Sequence, residues 1–291
     1  MQKSKVIYSL YIDISEDELD YQPPHWNSTI PKNEYAKTQF KEYATWLRKK
    51  QERYAKLCGA DYTLFGYDDT YIGYKEEFNK LYPQIVSYNI VNFYKISKLI
   101  DLCEIYDEVL YLDFDVVPVS DLNFFEHHNF NEGIHIMNGT ADSQGKANVL
   151  NNVAYSNRSP SAKYWNARAM CMFDDLPGDH EVFNTGIVGA SKKYMDQLDY
   201  YGDFKSVLGL MDKLKTEDSG VFPPQIQKMF GYDNETIWAY KTIKNKVNCI
   251  KLDPKWHHFM DKWNYIPKDT NLVHMVNKNF GYIKEWIEKR D

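Results

Sequence analysis

The chain alternates short apolar runs with longer stretches in which apolar residues recur at helical spacing. The first run, Val6-Ile7-Tyr8-Ser9-Leu10-Tyr11-Ile12 within Lys5 to Ile14, breaks at Asp13 into an acidic, Pro-containing loop and predicts a first β-strand. From Asn33 to Cys58 the apolar positions Ala36, Phe40, Tyr43, Ala44, Leu47, Tyr54 and Cys58 lie among Lys, Arg and Glu, the pattern of a long amphipathic helix. Gly59 suits its carboxyl end. Asp61 to Phe65 predicts a second strand, and the order strand, helix, strand predicts parallel pairing through a right-handed crossover. The acidic turn Tyr67-Asp68-Asp69-Thr70 that follows is either a ribose contact or a solvated turn. After Pro83, the segment Tyr88 to Cys103 has helical spacing through Val91, Lys95, Leu99 and Leu102.

That helix leads into the stretch on which the rest is centred, Glu108-Val-Leu-Tyr-Leu-Asp113-Phe-Asp115-Val-Val-Pro118. An apolar run that stops at two carboxylates reads as a buried parallel strand. It delivers acidic side chains to the carboxyl edge of a sheet, where open α/β sheets bind ligands. In extended backbone Asp113 and Asp115 share a face while Phe114 turns into the packing. Two such carboxylates repel unless a cation lies between them, so a divalent metal site is one reading. A turn or helix cap is a second. A third makes Asp113 the nucleophile of a haloacid-dehalogenase-like phosphatase.

Beyond this stretch, Gly133 to Met137 predicts a strand, and the polar segment Asn138 to Pro177 predicts an irregular lid or binding loop. Within it Lys163, Tyr164, Trp165 and Arg168 combine aromatic surface with positive charge; the rings are either acceptor contacts or buried anchors for the loop. Glu181 to Ala190 predicts a strand whose Asn184-Thr185-Gly186 and Gly189 allow close backbone approach of a ligand, with a helix from Ser191. Asp233 or Asn234 is placed to cap a helix over Ile237 to Lys244. Val247 to Leu252 and Thr270 to Val276 predict strands, the second containing His274 and ending at Asn277 and Lys278; Phe280 to Arg290 predicts a short amphipathic helix.

Composition narrows the classes. With 291 residues, 43% apolar and 16% aromatic, the chain has ample material for a packed core. A net charge of -6 with scattered Lys and Arg gives no basic footprint and argues against nucleic acid as a partner. No apolar run approaches transmembrane length and the amino-terminal segment lacks a signal-peptide cleavage pattern, so the expected compartment is cytoplasmic. Cys58, Cys103, Cys171 and Cys249 are far apart, without Cys-x-x-Cys spacing, and are expected to be reduced and mostly buried. The Asn-x-Ser/Thr sequons at Asn27, Asn138, Asn157 and Asn234 are expected to be chance occurrences.

Taken in order, these pieces resemble a GT-A-fold glycosyltransferase, most closely the family that contains glycogenin and bacterial lipopolysaccharide galactosyltransferases. The resemblance runs from the first strand through Tyr94-Lys95 and Asp107 to Asp115, then Phe183-Asn184-Thr185-Gly186 with Lys192-Lys193, then Asp233-Asn234, and finally His274. It implies a single-domain α/β fold with a Rossmann-like mixed, mainly parallel sheet flanked by helices. Residues 1–120 would form the nucleotide-binding half and 121–291 the acceptor-binding half. It further implies hexosyl transfer from a nucleotide sugar, UDP-linked, to a glycan, glycoconjugate or protein acceptor, with retention of anomeric configuration.

In that family two aspartates and a late histidine hold a manganese ion on the diphosphate. By that resemblance Asp113, Asp115 and His274 would be the ligands here, with Asp113 also touching the donor. Oxygen-rich sites suit Mg2+ and Mn2+, and one imidazole tilts the preference toward Mn2+. Leu10 and Tyr11 would meet the base; Lys95 or Lys98, with Lys278, the diphosphate; and Asn184, Thr185 and Gly186 the donor sugar. Asp233 and Asn234 would form the catalytic pair, and Tyr164, Trp165 and Arg168 would meet the acceptor. The chain departs from the pattern in two places. The usual Asp-Gln pair is Asp233-Asn234, and the His-x-x-Gly-x-x-Lys-Pro-Trp ending is His274-Met-Val-Asn277-Lys278-Asn-Phe, which displaces Lys278. A non-catalytic nucleotide-sugar or carbohydrate-binding protein on the same fold completes the alternatives.

Overall fold

The apolar run at the amino end forms β1, Lys5–Tyr11, with Val6 to Leu10 buried, as befits a strand covered on both faces. The structure is a computed structural model, and it describes residues 4–15, 18, 29–85, 87–138, 160–216, 231–260 and 265–290. Helix α1, Lys32–Leu57, leads from β1 to β2, Asp61–Gly66. Gly59 takes the left-handed step that ends the helix, at φ 62°, and Ala60 N–H donates back to the Ala55 carbonyl at 2.9 Å. The acidic turn after β2 starts a helix: Asp68 caps α2, Asp69–Leu81, accepting from Tyr71 N–H at 3.0 Å. Helix α3, Ser87–Cys103, then feeds β3, Glu108–Leu112.

The central stretch is not one extended run. β3 ends at Leu112, residues 113–115 turn, with Val116 N–H donating to the Asp113 carbonyl at 2.8 Å, and the chain resumes as β4, Val116–Pro118. The later strands are β5 (Ile134–Asn138), β6 (Phe183–Ala190), β7 (Cys249–Lys251), β8 (His258–Phe259) and β9 (Leu272–His274). Among the described residues they form a six-stranded sheet in the order β2-β1-β3-β6-β5-β7 and a small sheet β4-β9-β8. In the large sheet only β6 runs against the others, so it is mixed and mainly parallel.

The remaining helices are α4 (Phe124–His127), α5 (Pro160–Phe173), α6 (Lys192–Leu198), α7 (Phe204–Thr216), α8 (Asn234–Lys244) and α9 (Phe280–Glu288). Helix α5 corrects the expectation of an irregular segment over Asn138 to Pro177. Its buried face is built largely from Ser161, Ala162, Ala167 and Ala169, small residues that leave little apolar period to read. Residues 139–159 of that segment, and the sequons at Asn27 and Asn157, lie outside the described residues.

Helices cover both faces of the large sheet. One core joins Tyr8, Val109 and Val188 to Phe93, Met211 and Trp238; on the other side Ile7 and Leu110 pack with Tyr54, Phe124 and Trp256. A further cluster of Phe114, Val117, Val273, Phe280 and Ile283 fixes the small sheet against α9. Cys58, Cys103 and Cys171 are buried, Cys249 is half-buried, and all four are free thiols.

Candidate metal centre

The site lies where the two sheets meet. Asp113 N–H donates to the Gly186 carbonyl at 2.7 Å, which extends the β3–β6 ladder by one step. Val116 pairs with His274, and Met275 N–H donates to the Asp115 carbonyl at 3.0 Å. The turn over residues 113–115 is therefore pinned to β6 on one side and β9 on the other. Asp113 and Asp115 converge through this turn, not through alternation along a strand, while Phe114 is buried as expected.

His274 closes the group. Its Nε2 is 3.5 Å from Asp113 Oδ2 and 3.4 Å from Asp115 Oδ2, and the three ligand atoms lie within 4.8 Å of one another. Neighbouring ligands on an octahedral ion stand about 3.0 Å apart for Mg2+ and about 3.4 Å for Ca2+, from bond lengths of ~2.1 and ~2.4 Å. The two imidazole–carboxylate spacings suit neighbouring ligands on a divalent cation, and the group of two carboxylates and one imidazole could hold one. Gly186 is needed here for the histidine itself, since a Cβ on it would lie 2.4 Å from His274 Cε1. Gly189 answers a different need, because its Cβ would strike Phe124 at 2.9 Å in the core.

Each ligand is held from behind. Tyr111 hydroxyl donates to Asp113 Oδ1 at 2.5 Å, and Lys95 Nζ stands 3.6 Å from the same oxygen. Burial and the Asp113 charge push the Tyr111 phenol well above its ordinary range, so it remains a donor. Lys278 forms an ion pair with Asp115 Oδ2. Burial would raise the Asp115 carboxyl, but Lys278 and His274 together hold it below the usual carboxylate range. Behind His274, its Nδ1 is 3.0 Å from Nε2 of His257, a fully buried ring. Burial and the neighbouring His274 drive His257 well below the usual histidine range, so it is neutral.

A cavity of about 290 Å³ opens beside the carboxylates. Leu10, Tyr11, Lys95, Asp113, Asp115 and Lys278 line it, together with the first turn of α1. Tyr11 stacks on Phe114 with ring centroids 4.8 Å apart, so it is both wall and packing. Lys98 does not join Lys95: its ammonium pairs with Asp101 at 2.6 Å and lies over the rings of Phe65 and Tyr94.

On the β6 side the chain departs from its regular ladder. The β5 partner jumps from Val188 at Ile136 to Asn184 at Met137, which frees Thr185 to Ile187 from β5. Asn184 Oδ1 accepts from Gly186 N–H at 2.9 Å. Asn234 Nδ2 donates to Thr185 Oγ1 at 2.9 Å; so engaged and buried, Asn234 offers no glycan site. Asp233 is the N-cap of α8, its Oδ2 accepting from the N–H groups of Glu235 and Thr236 and from the Thr236 hydroxyl. Glu235, which the sequence did not single out, accepts from Thr185 N–H at 2.7 Å and pairs with Lys163. Burial opposes its charge, but Lys163 and Lys95 hold its carboxyl below the usual range.

Of the residues expected at the acceptor, Tyr164 is instead buried against Val182 and His180. Its position on the inner face of α5 explains this, and the residue is only 6% exposed. Trp165 is half-buried beneath the Arg168 guanidinium at 5.7 Å, and Arg168 also donates to the Gly178 carbonyl.

No family model matches the sequence, and neither does any curated protein. The fold is similar to solved structures of low identity. A glycosyltransferase involved in the glycosylation of the major capsid of PBCV-1 is 13% identical over 98% of this chain and 99% of that one, with a TM-score of 0.41. The galactosyltransferase LgtC, in complex with donor and acceptor sugar analogs, is 10% identical over 98% and 95%, with a TM-score of 0.45. Mouse xyloside xylosyltransferase 1 is 10% identical over 74% and 76%, with a TM-score of 0.40. All three of these solved structures are glycosyltransferases.

Proposed function

We propose that this chain is a GT-A-type, metal-dependent glycosyltransferase, moving a hexosyl group from a UDP-linked donor to a glycan, glycoconjugate or protein acceptor, with retention. The observation that carries the reading is the convergence of Asp113, Asp115 and His274 beside a cavity that also holds Tyr11, Lys95 and Lys278. Carboxylates, ammoniums and an aromatic wall in one cleft match the parts of a nucleoside diphosphate: a flat base and a charged diphosphate. A bound Mn2+, or Mg2+, would supply Lewis acidity and charge neutralisation to the leaving diphosphate.

The chain's own groups do the remaining work. Tyr11 and Leu10 bound the base. Lys95, braced by Tyr111, and Lys278 offset charge on the diphosphate. Asn184, Thr185, Gly186, Asn234 and Glu235 are the donor-sugar candidates: Gly186 abuts His274, Asn184 accepts from Gly186 N–H, and Asn234 and Glu235 bond to the adjacent Thr185. Asp233 acts through the helix it caps. Three donors on one Asp233 oxygen lower its nucleophilicity, which favours departure and attack on one face over a double displacement. Trp165 and Arg168 remain the acceptor-side candidates, without Tyr164. The cytoplasm is the compartment in which nucleotide sugars would meet this chain.

The test is a thermal-shift screen with UDP, GDP and CMP, each with and without Mn2+, since a ligand of the native state raises apparent stability by mass action. A metal-dependent shift with UDP is expected. No shift with any nucleotide would overturn the reading, and phosphate release from a simple ester without a sugar donor would favour a phosphatase with Asp113 as nucleophile. Donor hydrolysis then separates an enzyme from a binding protein.

A further inference from the structure

The charges around the metal ligands are already balanced without a metal. Asp113 and Asp115 carry two negative charges; Lys95, 3.6 Å from Asp113, and Lys278, paired with Asp115, carry two positive ones. The cavity lining adds a small excess of cation to this balance, with Lys32, Lys37, Lys95 and Lys278 against Asp13, Asp113 and Asp115. A divalent ion entering alone meets a site whose formal charges already cancel and whose carboxylates are both engaged, Asp113 by Tyr111 and Lys95 and Asp115 by Lys278. Because Asp115 is 4% exposed, that engagement is shielded from water and is not a loose surface pair.

Lys278 is also built to move only at its side chain. Its residue sits at φ 55°, a left-handed conformation that a lysine keeps only where neighbours impose it. Here Lys278 N–H donates to the Met275 carbonyl, Phe280 N–H donates to the Lys278 carbonyl, and Asn277 N–H donates to the Met260 carbonyl, each at 2.9 Å. The backbone is thus anchored on both sides. The ammonium lies over the Phe40 ring at 5.5 Å and lines the cavity, so a rotation that leaves Asp115 keeps it in reach of an anion bound there.

We propose that Lys278 is a tethered counter-cation, which holds Asp115 until a divalent ion takes its place and then pairs with the diphosphate, so that metal and nucleoside diphosphate bind as a coupled pair. This rests on the function proposed above. It gives Lys278 two successive partners. On this account the lysine weakens the metal when the metal comes alone and strengthens the ternary complex, a coupling that acts equally on both ligands.

The experiment measures Mn2+ alone, UDP alone and each in the presence of the other by titration calorimetry, on the wild type, K278M and K278R. In the wild type, each ligand is expected to raise the affinity of the other about tenfold or more. K278M is expected to bind Mn2+ alone about tenfold more tightly than the wild type and to lose most of the coupling, while K278R, which keeps the charge, retains it. A lysine that served only the phosphate or the fold would not tighten metal binding when removed, so unchanged or weaker Mn2+ binding by K278M overturns the inference. Should K278M fail to fold, the wild type decides: UDP and Mn2+ affinities independent of one another overturn it. Absence of any nucleotide binding, in contrast, refutes the transferase reading itself.

Discussion

His274 has two ring nitrogens, and each meets a different partner. Nε2 faces Asp113 and Asp115, and Nδ1 faces His257. To give its Nε2 lone pair to a cation, His274 must carry its proton on Nδ1, and the neutral His257 offers the lone pair that receives it. The His257→Phe variant keeps a flat ring stacked on Phe259, whose centroid is 4.6 Å away, but removes the acceptor. It should fold, at a cost of about 1–3 kcal/mol for the unpaired Nδ1–H. Metal affinity should fall about 10- to 100-fold, read as the loss of the Mn2+-dependent thermal shift. His257→Gln, which retains an acceptor, should recover part of it. A full metal shift in the phenylalanine variant would reduce His257 to a space filler. Neither His257 nor Lys278 was legible in this role from spacing, because their relation to His274 and Asp115 exists only after β8, β9 and the turn at residues 113–115 have paired.

At the level of elements, the start of α8 tests what the sequence left open. Asp233 was both a candidate cap and a member of the expected catalytic pair, and its three hydrogen bonds to Glu235 and Thr236 show the cap. Asp233→Ala should destabilise the protein by about 1–2 kcal/mol. Asp233→Asn keeps a capping oxygen and should retain near-native stability and most of the transfer activity. A stable Asn variant with activity lowered about a hundredfold would put Asp233 back into the chemistry. The same helix start explains why Glu235 escaped notice: its partners Thr185 and Lys163 are 50 and 72 residues away in sequence. Strong periodicity or runs, as in α1, β1 and β3, were readable because burial on one stripe or both faces leaves a pattern. Helix α5 left little, since alanine and serine take half of its buried positions, and α2 was hidden behind its own cap. Asp113, Asp115 and His274 were legible as residue types in an order, while their convergence depends on a turn that the apolar pattern of β3 and β4 does not betray.

At the scale of the whole molecule, the contact between large and small sheets carries a second group of histidines with no part in the site. His128 stacks on Phe124 at 4.0 Å and lies 5.0 Å from the Trp256 ring and 4.9 Å from His135. Phe124 and Trp256 belong to the core between the two sheets. The Nδ1 of His128 bonds the Phe124 carbonyl and the Nε2 of His135 bonds the Asn129 carbonyl, whereas His135 Nδ1 is buried with no partner among the described residues. Burial drives the His128 ring down to about 4, with His135, His127 and Lys255 adding to the shift, and burial lowers His135 as well. The unfolded chain, with histidines near ~6.5, therefore binds more protons than the native state between about pH 6.5 and 4. Stability should be flat above that range and fall as the pH drops through it, these two partly shielded rings contributing about 1–2 kcal/mol and the buried, neutral His257 adding to the same fall. Asp115 and Glu235, whose carboxyls are held below their ordinary range, keep their contribution above about pH 5 and lose it progressively as the pH falls further. Urea unfolding at pH 7.5 and pH 5 should show the drop in the wild type and a flatter response in His128→Phe, with equal slopes in the two proteins counting against a buried neutral His128.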